Sequence, residues 1–293
     1  MSIESRAGSV ASGASAAAAL GYPVPIRRRT RLRKVLETFE GYIRIDLVEE
    51  RMFPAASLLR YLAVVFPVLL YYFQSAFLDM GGQLFSVMLI GTAVTAGLQE
   101  ALTGLTNRLQ YAQERGTLET YLVEPVPWAL IPLAMNIWRS VTGGILACIM
   151  VGVGWALGAP IEARSIPLAL LVLFLGIVAC NAVGTLAASF LVLFKRGEPV
   201  IALYGLAAGV LGGALFPVSV LPDWIRWVSY LVPHSYVISA ERQLLMADPP
   251  AGEQSPAVSI AILALFCLVV FTGGLFVFDR SLKLARRLGI LSV

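Results

Sequence analysis

The chain of 293 residues is 58% hydrophobic and 14% charged, with a net charge of +4 and a mean hydropathy of +0.80. Soluble domains carry about 25% charged residues, so this composition excludes an ordinary soluble domain and indicates an integral membrane protein. Three cysteines, Cys148, Cys180 and Cys267, lie inside apolar runs without paired spacing. That pattern argues against a disulfide framework and against a zinc site.

The N-terminal segment 1–30 is predicted to form a disordered tail. It is rich in Ala, Ser and Gly and lacks the basic-to-apolar order of a signal peptide. The basic run 27–34 suits an anionic membrane surface better than a nucleic acid. An amphipathic helix is predicted over 31–52, where apolar residues recur at helical spacing among charges. We expect this helix to lie in the membrane interface.

Six apolar runs predict six transmembrane helices, since crossing a bilayer takes about 20 apolar residues. The predicted spans cover about 58–78, 84–103, 131–157, 166–194, 200–220 and 258–278. Basic residues concentrate in the N-terminal segment, in the loops after the second and fourth spans, and in the tail. This distribution places both termini in the cytoplasm. The predicted fold class is therefore an all-α polytopic membrane protein.

The segment 221–246, before the last span, is aromatic and apolar but is interrupted by Pro233 and by four charged residues. It is too broken to span a membrane, so we expect two short helices that re-enter the outer leaflet. The residues expected to form an outer gate there are Phe216, Pro217, Trp224, Trp227 and Tyr230.

A polar island separates the second and third predicted spans within a cytoplasmic loop at 106–127. Its residues are Glu114, Arg115, Gly116, Thr117, Leu118 and Glu119. The second helix is expected to continue past the membrane surface and to break at Gly116, and a short helix should follow until the prolines at 125 and 127. Such a helix suits the groove of a moving partner, although an ordinary polar connector has the same composition. The sequence contains no Gly-x-x-x-x-Gly-Lys-Ser/Thr phosphate loop, so any ATP would be bound by another chain.

Ionisable residues close to spans are candidates for function, because charge at membrane depth is costly. Arg60, Glu100 and Arg139 qualify, and Glu100 is the strongest candidate for a translocation path; the alternative is an ion pair between helices. Tyr71, Tyr72 and Phe73 are further path candidates, and their alternative is an interfacial aromatic belt. His234 has no catalytic partner at a recognisable spacing, and no catalytic or metal site is predicted.

Two groups of motifs resemble the signatures of type-2 ABC exporter permeases. The first is Glu-Arg-Gly-Thr-Leu-Glu at 114–119 with Glu-Pro-Val at 124–126. The second is Leu-Phe-Pro-Val-Ser-Val-Leu-Pro-Asp-Trp at 215–224, followed by Val-Pro-His-Ser-Tyr at 232–236 and Glu-Arg at 241–242. The resemblance covers the chain from residue 31 onwards and leaves the N-terminal tail unassigned.

The resemblance implies a multi-pass subunit of the bacterial inner membrane that pairs with a second permease, either as a homodimer or with a related permease. Two separate ATPase subunits would grip this pair. Residues 114–119 would then form the loop that seats on the ATPase, which would bind ATP and Mg. The chain itself would have no cofactor, no ATPase site and no nucleic-acid partner, and would contact membrane lipids. Its cargo would be an amphiphilic drug, a lipid or a lipid-linked glycan. Two alternatives are an ion-coupled secondary transporter and a lipid-modifying membrane enzyme.

Overall fold

The computed structural model describes residues 31–78, 81–116, 130–194 and 198–287. Within these ranges the chain is helical, and the only extended pairing is an isolated bridge between Ile161 and Met246. The predicted all-α class is therefore confirmed for the described residues. Contacts divide the chain into two units, Met1–Glu37 and Thr38–Val293. The spans and the candidate sites belong to the second unit.

Eleven α-helices follow one another along the described residues. They are α1 (Arg31–Met52), α2 (Pro54–Ala63), α3 (Val65–Phe77), α4 (Gly81–Glu114), α5 (Ile131–Ala156), α6 (Ile166–Phe194), α7 (Glu198–Leu211), α8 (Asp223–Ser229), α9 (Pro233–Leu245), α10 (Pro256–Phe266) and α11 (Thr272–Arg287). Short 3₁₀ turns at Ala163–Ser165 and Val218–Val220 precede α6 and α8. A π-helical turn at Cys267–Phe271 joins α10 to α11.

Five helical stretches are long and apolar enough to cross a membrane. They are Pro54–Phe77, Gly82–Glu114, Ile131–Ala156, Ala163–Leu193 and Pro256–Ala285. They coincide with five of the six predicted spans. The second is much longer than its apolar run, because α4 continues for 34 residues to Glu114, as expected for a helix that leaves the membrane.

The extent predicted for the fifth span, 200–220, is wrong. Helix α7 has only 14 residues, about 21 Å at 1.5 Å per residue, which is short of the hydrocarbon thickness. It ends at a glycine pair, where Gly213 adopts a φ of +79°. That left-handed conformation costs glycine little and reverses the chain before Pro217 and the Val218–Val220 turn. The residues after this turn are also mostly apolar, so a prediction based on composition alone extended the span to residue 220.

Helix α4 lies at the centre of the second unit. Near the start of α4, Ile90 and Val94 belong to one buried cluster with residues of α6 and α9. Near its end, Leu105 and Leu109 belong to another with residues of α5, α6 and α11. Helix α2, in contrast, has no buried residue. The first span therefore presents an unpartnered apolar face, whereas α4 is enclosed by its neighbours.

Candidate functional site

The end of α4 carries the described part of the predicted coupling loop. Glu114 is the last helical residue and accepts a hydrogen bond of 3.2 Å from the side-chain amide of Gln110. Gly116 follows with a φ of +66°, so the helix breaks at the glycine, as predicted. Glu114, Arg115 and Gly116 are exposed. Thr117, Leu118 and Glu119, like the rest of the loop to 129, lie outside the described residues.

A buried ion pair connects α1 to α4 near this end. The Arg108 guanidinium lies 2.9 Å from the Asp46 carboxylate, donates to the Met135 carbonyl at 2.8 Å, and stands 5.2 Å from the Tyr42 ring centroid. Burial raises the pKa of Asp46, and the adjacent Arg108 opposes that rise. This junction was not predicted from the sequence. The available signal was the spacing of Tyr42 and Asp46, four residues apart on one face of an amphipathic helix.

The predicted path residue Glu100 forms an ion pair with Arg139, 3.5 Å away on α5. A role of Glu100 in a translocation path stays a prediction. The helices approach closely here because each has a glycine at the contact, and a Cβ atom on Gly97 would lie 2.8 Å from the Gly143 carbonyl oxygen. Small residues permit such close packing in lipid. Glu100 and Arg139 therefore help to fix α4 against α5.

Amide side chains extend this polar contact to α6. Asn136 donates to the Ala101 carbonyl at 2.6 Å and to the side-chain oxygen of Asn181. Asn181 in turn donates to the Ser140 hydroxyl at 2.8 Å. Hydrogen bonds of this kind join helices where water is excluded. Sequence analysis did not single out these residues, although an asparagine inside an apolar run was the signal.

The aromatic candidates of the first span lie away from Glu100. The Tyr72 ring meets the Phe85 ring edge-on at 5.6 Å, and Phe85 is about 22 Å along α4 from Glu100 at 1.5 Å per residue. Tyr71 is half-buried, and Phe73 is exposed. The structure therefore does not bring the four predicted path residues together.

Helices α8 and α9 are two short helices within the segment 221–246, as predicted. Their re-entry into the outer leaflet stays a prediction. Trp224, Trp227 and Tyr230 are exposed, whereas Phe216 and Pro217 are half-buried. The hydroxyl of Tyr236 donates to the Tyr230 carbonyl at 2.8 Å and holds the two helices together. Helix α8 thus presents an exposed aromatic surface, whereas α9 is almost entirely buried.

Helix α9 runs beside the spans rather than over their ends. At the start of α9, Nδ1 of His234 lies 3.8 Å from the sulfur of Cys180. Cys180 is itself about 21 Å along α6 from the first residue of that helix, Ile166, at 1.5 Å per residue. At its end, the Leu245 carbonyl accepts a hydrogen bond of 2.9 Å from the Glu162 amide, just before α6 begins. Burial lowers the pKa of His234 to about 4, so its ring is neutral at pH 7.

A fully buried arginine anchors α9. Arg242 donates to the carbonyls of Val87, Gly213 and Ala214 at 2.8–3.2 Å and pairs with Glu253 at 3.2 Å. The Gly213 and Ala214 carbonyls lie just beyond the broken end of α7, where no helical partner follows. Arg242 therefore satisfies the polar groups that the short fifth helix leaves open. Its burial lowers its pKa, and Glu253 opposes that change.

Comparison with known proteins agrees with this architecture. The family described as ABC-2 type transporter matches residues 50–246, from the end of α1 through α9. The chain is also 31% identical over 121 residues to heme exporter protein B of Pseudomonas aeruginosa. The aligned residues make up 41% of this chain and 54% of that protein. The aligned part thus spans about half the length of this relative. Because the family match extends over more than half of the chain, the protein belongs to the ABC-2 type transporter family of membrane subunits.

Proposed function

We propose that this chain is the permease subunit of an ATP-driven exporter in a bacterial inner membrane. The observation that carries the proposal is the course of α4. This enclosed helix lies inside the family-matched region 50–246, ends at the exposed residues Glu114 and Arg115, and is followed by the turn at Gly116. A rigid element with a free polar end is suited to receive a mechanical push from a soluble partner and to deliver it to the packed helices.

The partner is an ABC ATPase on a separate chain, in two copies. The sequence of this permease contains no phosphate-loop motif, so the energy of ATP has to enter through a contact. The segment 114–119 is the proposed contact, with Glu114 and Glu119 facing polar or basic groups of the ATPase. This arrangement favours an ATP-driven permease over an ion-coupled transporter or a lipid-modifying enzyme.

The cargo is an amphiphile: a drug, a lipid or a lipid-linked glycan. A second permease copy would cover the exposed apolar face of the first span, to which Leu59, Phe66 and Phe73 contribute. The path would run between the two copies, with the α8–α9 hairpin re-entering the outer leaflet and closing the exit. The name of the Pseudomonas relative adds heme to the cargoes that an assay should include.

Sidedness is tested by cysteine labelling in a version from which Cys148, Cys180 and Cys267 have been removed. Ser255→Cys and Lys283→Cys place thiols at exposed positions at opposite ends of the last span. An impermeant maleimide should label position 255 in intact cells and position 283 only after the membrane is opened. The reverse pattern would invert the proposed orientation.

Coupling is tested with the purified permease and its ATPase in proteoliposomes. Glu114→Arg should weaken ATPase association and uncouple hydrolysis from export, because like charges at a contact can cost several kcal/mol. Glu162→Arg makes the same charge change at an exposed position near the start of α6 and should retain normal association and export. Equal behaviour of the two variants would refute this coupling site. Export that persists without ATP and follows an ion gradient would instead establish a secondary transporter.

A further inference from the structure

A cavity of about 180 Å³ lies between α4, α5, α6 and α9. Its wall is apolar apart from one acid, and it includes Ile90, Val94, Cys148, Trp155 and Leu173 around Glu241. Glu241 lies on α9, near the end that bonds to Glu162. The cavity is thus separate from the coupling end of α4 and from the Glu100–Arg139 pair.

Among the described residues, no basic side chain forms an ion pair with the buried carboxyl group of Glu241. The residue is 4% exposed, and its Oε1 atom has no hydrogen-bond partner. Burial raises the pKa of Glu241 to about 8, and the Leu173 backbone offsets only part of that effect. The adjacent Arg242 is already engaged by three backbone carbonyls and Glu253. A buried acid in this condition is costly unless a partner compensates it.

An apolar groove between α5 and α6 adjoins the cavity and shares part of its lining. This groove has a volume of about 680 Å³ and shares Cys148, Leu170 and Leu173 with the cavity. Farther along it, the wall is formed by residues such as Ile145, Phe174 and Ile177. Together the two linings comprise one acid, Glu241, and a long hydrocarbon wall. The cavity lining also includes Trp155, an aromatic residue of the type that attracts cations.

We propose that this cavity binds an organic ammonium amphiphile, with its positive nitrogen against the Glu241 carboxylate and its hydrocarbon body in the α5–α6 groove. The nitrogen supplies the counter-charge that the protein does not, and the apolar wall excludes the water that would otherwise screen the pair. Pairing with the ammonium nitrogen would favour the ionised form of Glu241, which burial otherwise disfavours, whereas a neutral or anionic amphiphile brings no positive charge to do so. Binding at this cavity requires neither ATP nor a particular direction of transport, so a binding test of this site is independent of the tests of the proposed export.

The test is equilibrium binding of radiolabelled dodecyltrimethylammonium to the purified protein in neutral maltoside micelles. Saturable binding is expected for the wild type, and Glu241→Gln should weaken it about 30-fold or more, as when one member of a buried charge pair is removed. Glu162→Gln, an exposed glutamate near the same end, is the matched control and should bind normally. Dodecanol and dodecanoate, with the same chain but no positive charge, should compete poorly.

A second variant separates the shape of the site from its charge. Gly152 lines the cavity and has open space at its Cβ position, so Gly152→Leu should fill the cavity and abolish ammonium binding while Glu241 is kept. Competition by added phosphatidylethanolamine would identify a lipid amine as an occupant, and its absence would leave soluble ammonium amphiphiles as the ligands. Unchanged binding by Glu241→Gln, or equal binding of dodecanoate, would overturn the proposal.

Discussion

The Arg108 guanidinium on α4 lies 2.9 Å from the Asp46 carboxylate on α1. The same arginine donates to the Met135 carbonyl near the start of α5, so three helices meet at one side chain. Glu114, where α4 ends, is only about 9 Å farther along that helix at 1.5 Å per residue. If the end of α4 is the coupling site, this junction would carry its displacement to α1 and α5.

Asp46→Asn should lower the free energy of unfolding by about 1–3 kcal/mol, because it leaves the Arg108 guanidinium mostly buried without its counter-ion. Thermal unfolding of the purified permease in detergent measures this loss. The matched control is Glu40→Gln, which breaks the exposed Arg44–Glu40 pair on the same helix and should change stability by less than about 0.5 kcal/mol. Equal effects of the two variants would show that the junction contributes no more than a surface pair.

Gly116→Val should uncouple ATP hydrolysis from export. A β-branched residue at a φ of +66° is strained by about 1–3 kcal/mol, so the chain after α4 would leave in another direction. Gly158→Val is the matched control, since Gly158 also has a positive φ, +96°, and open space around it, but follows α5. Hydrolysis and export by the reconstituted complex should be uncoupled only in the first variant. Coupling that survives in both would make the turn at Gly116 dispensable.

Features decided by local composition were predictable from the sequence. Lipid selects long apolar helices, so five spans could be located. The break at Gly116 was readable because a glycine stood between polar residues at the end of a helical run. The Glu100–Arg139 pair was anticipated, since a charge near a span end needs a partner.

Features that depend on distant residues were not predictable. Arg242 bonds to Val87, which is far from it in the sequence, and nothing near either residue indicates the other. The same arginine donates to the Gly213 and Ala214 carbonyls beyond the end of α7. The Glu-Arg motif was visible in the sequence, but these distant hydrogen-bond partners of Arg242 were not. The Glu241 cavity likewise exists only after four helices have packed.

Gly143→Ala should destabilise the contact between α4 and α5, because its added methyl group would overlap the Gly97 carbonyl oxygen. Overpacking of this kind costs about 1–3 kcal/mol. Gly152→Ala, in the same helix but with open space at its Cβ position, should be neutral or stabilising by up to about 1 kcal/mol. Thermal unfolding of both variants in one detergent measures the two effects on stability. An unchanged stability of Gly143→Ala would show that α4 and α5 can move apart here without cost.

Arg242→Lys should destabilise the protein by about 3–5 kcal/mol, because a lysine ammonium does not reproduce the planar fork that reaches three carbonyls and Glu253. The loss should appear as a lower unfolding temperature and as easier proteolysis after α7, where the Gly213 and Ala214 carbonyls lose their donor. Arg164→Lys, at an exposed position before α6, is the matched control and should behave as wild type. A stable Arg242→Lys would mean that charge alone anchors α9.

Glu241 should make stability fall as pH rises from 6.5 to about 8. The folded state holds this proton up to a pKa of about 8, whereas an unfolded chain releases it near the ordinary value of 4.5. Between these values the folded state binds more protons, so the free energy of unfolding decreases with pH, by at most about 1.4 kcal/mol per unit. Burial lowers the pKa of His234 from 6.5 to about 4, so below pH 6.5 this residue makes the free energy of unfolding increase with pH. The effect of Glu241 is therefore measured from pH 6.5 upwards.

The measurement is thermal unfolding from pH 6.5 to 9 of the wild type, Glu241→Gln and Glu162→Gln. The slope should be present in the wild type and in Glu162→Gln, level off above pH 8, and vanish in Glu241→Gln, because only that variant lacks the buried acid. Above pH 8, Glu241→Gln should also be the most stable of the three, since it no longer holds an uncompensated carboxylate among apolar side chains. A saturating organic ammonium ligand should reduce the slope in the wild type, because pairing with its nitrogen favours the ionised acid. A slope that survives in Glu241→Gln would assign the titration to another group and remove the support that burial of Glu241 gives to the ammonium site.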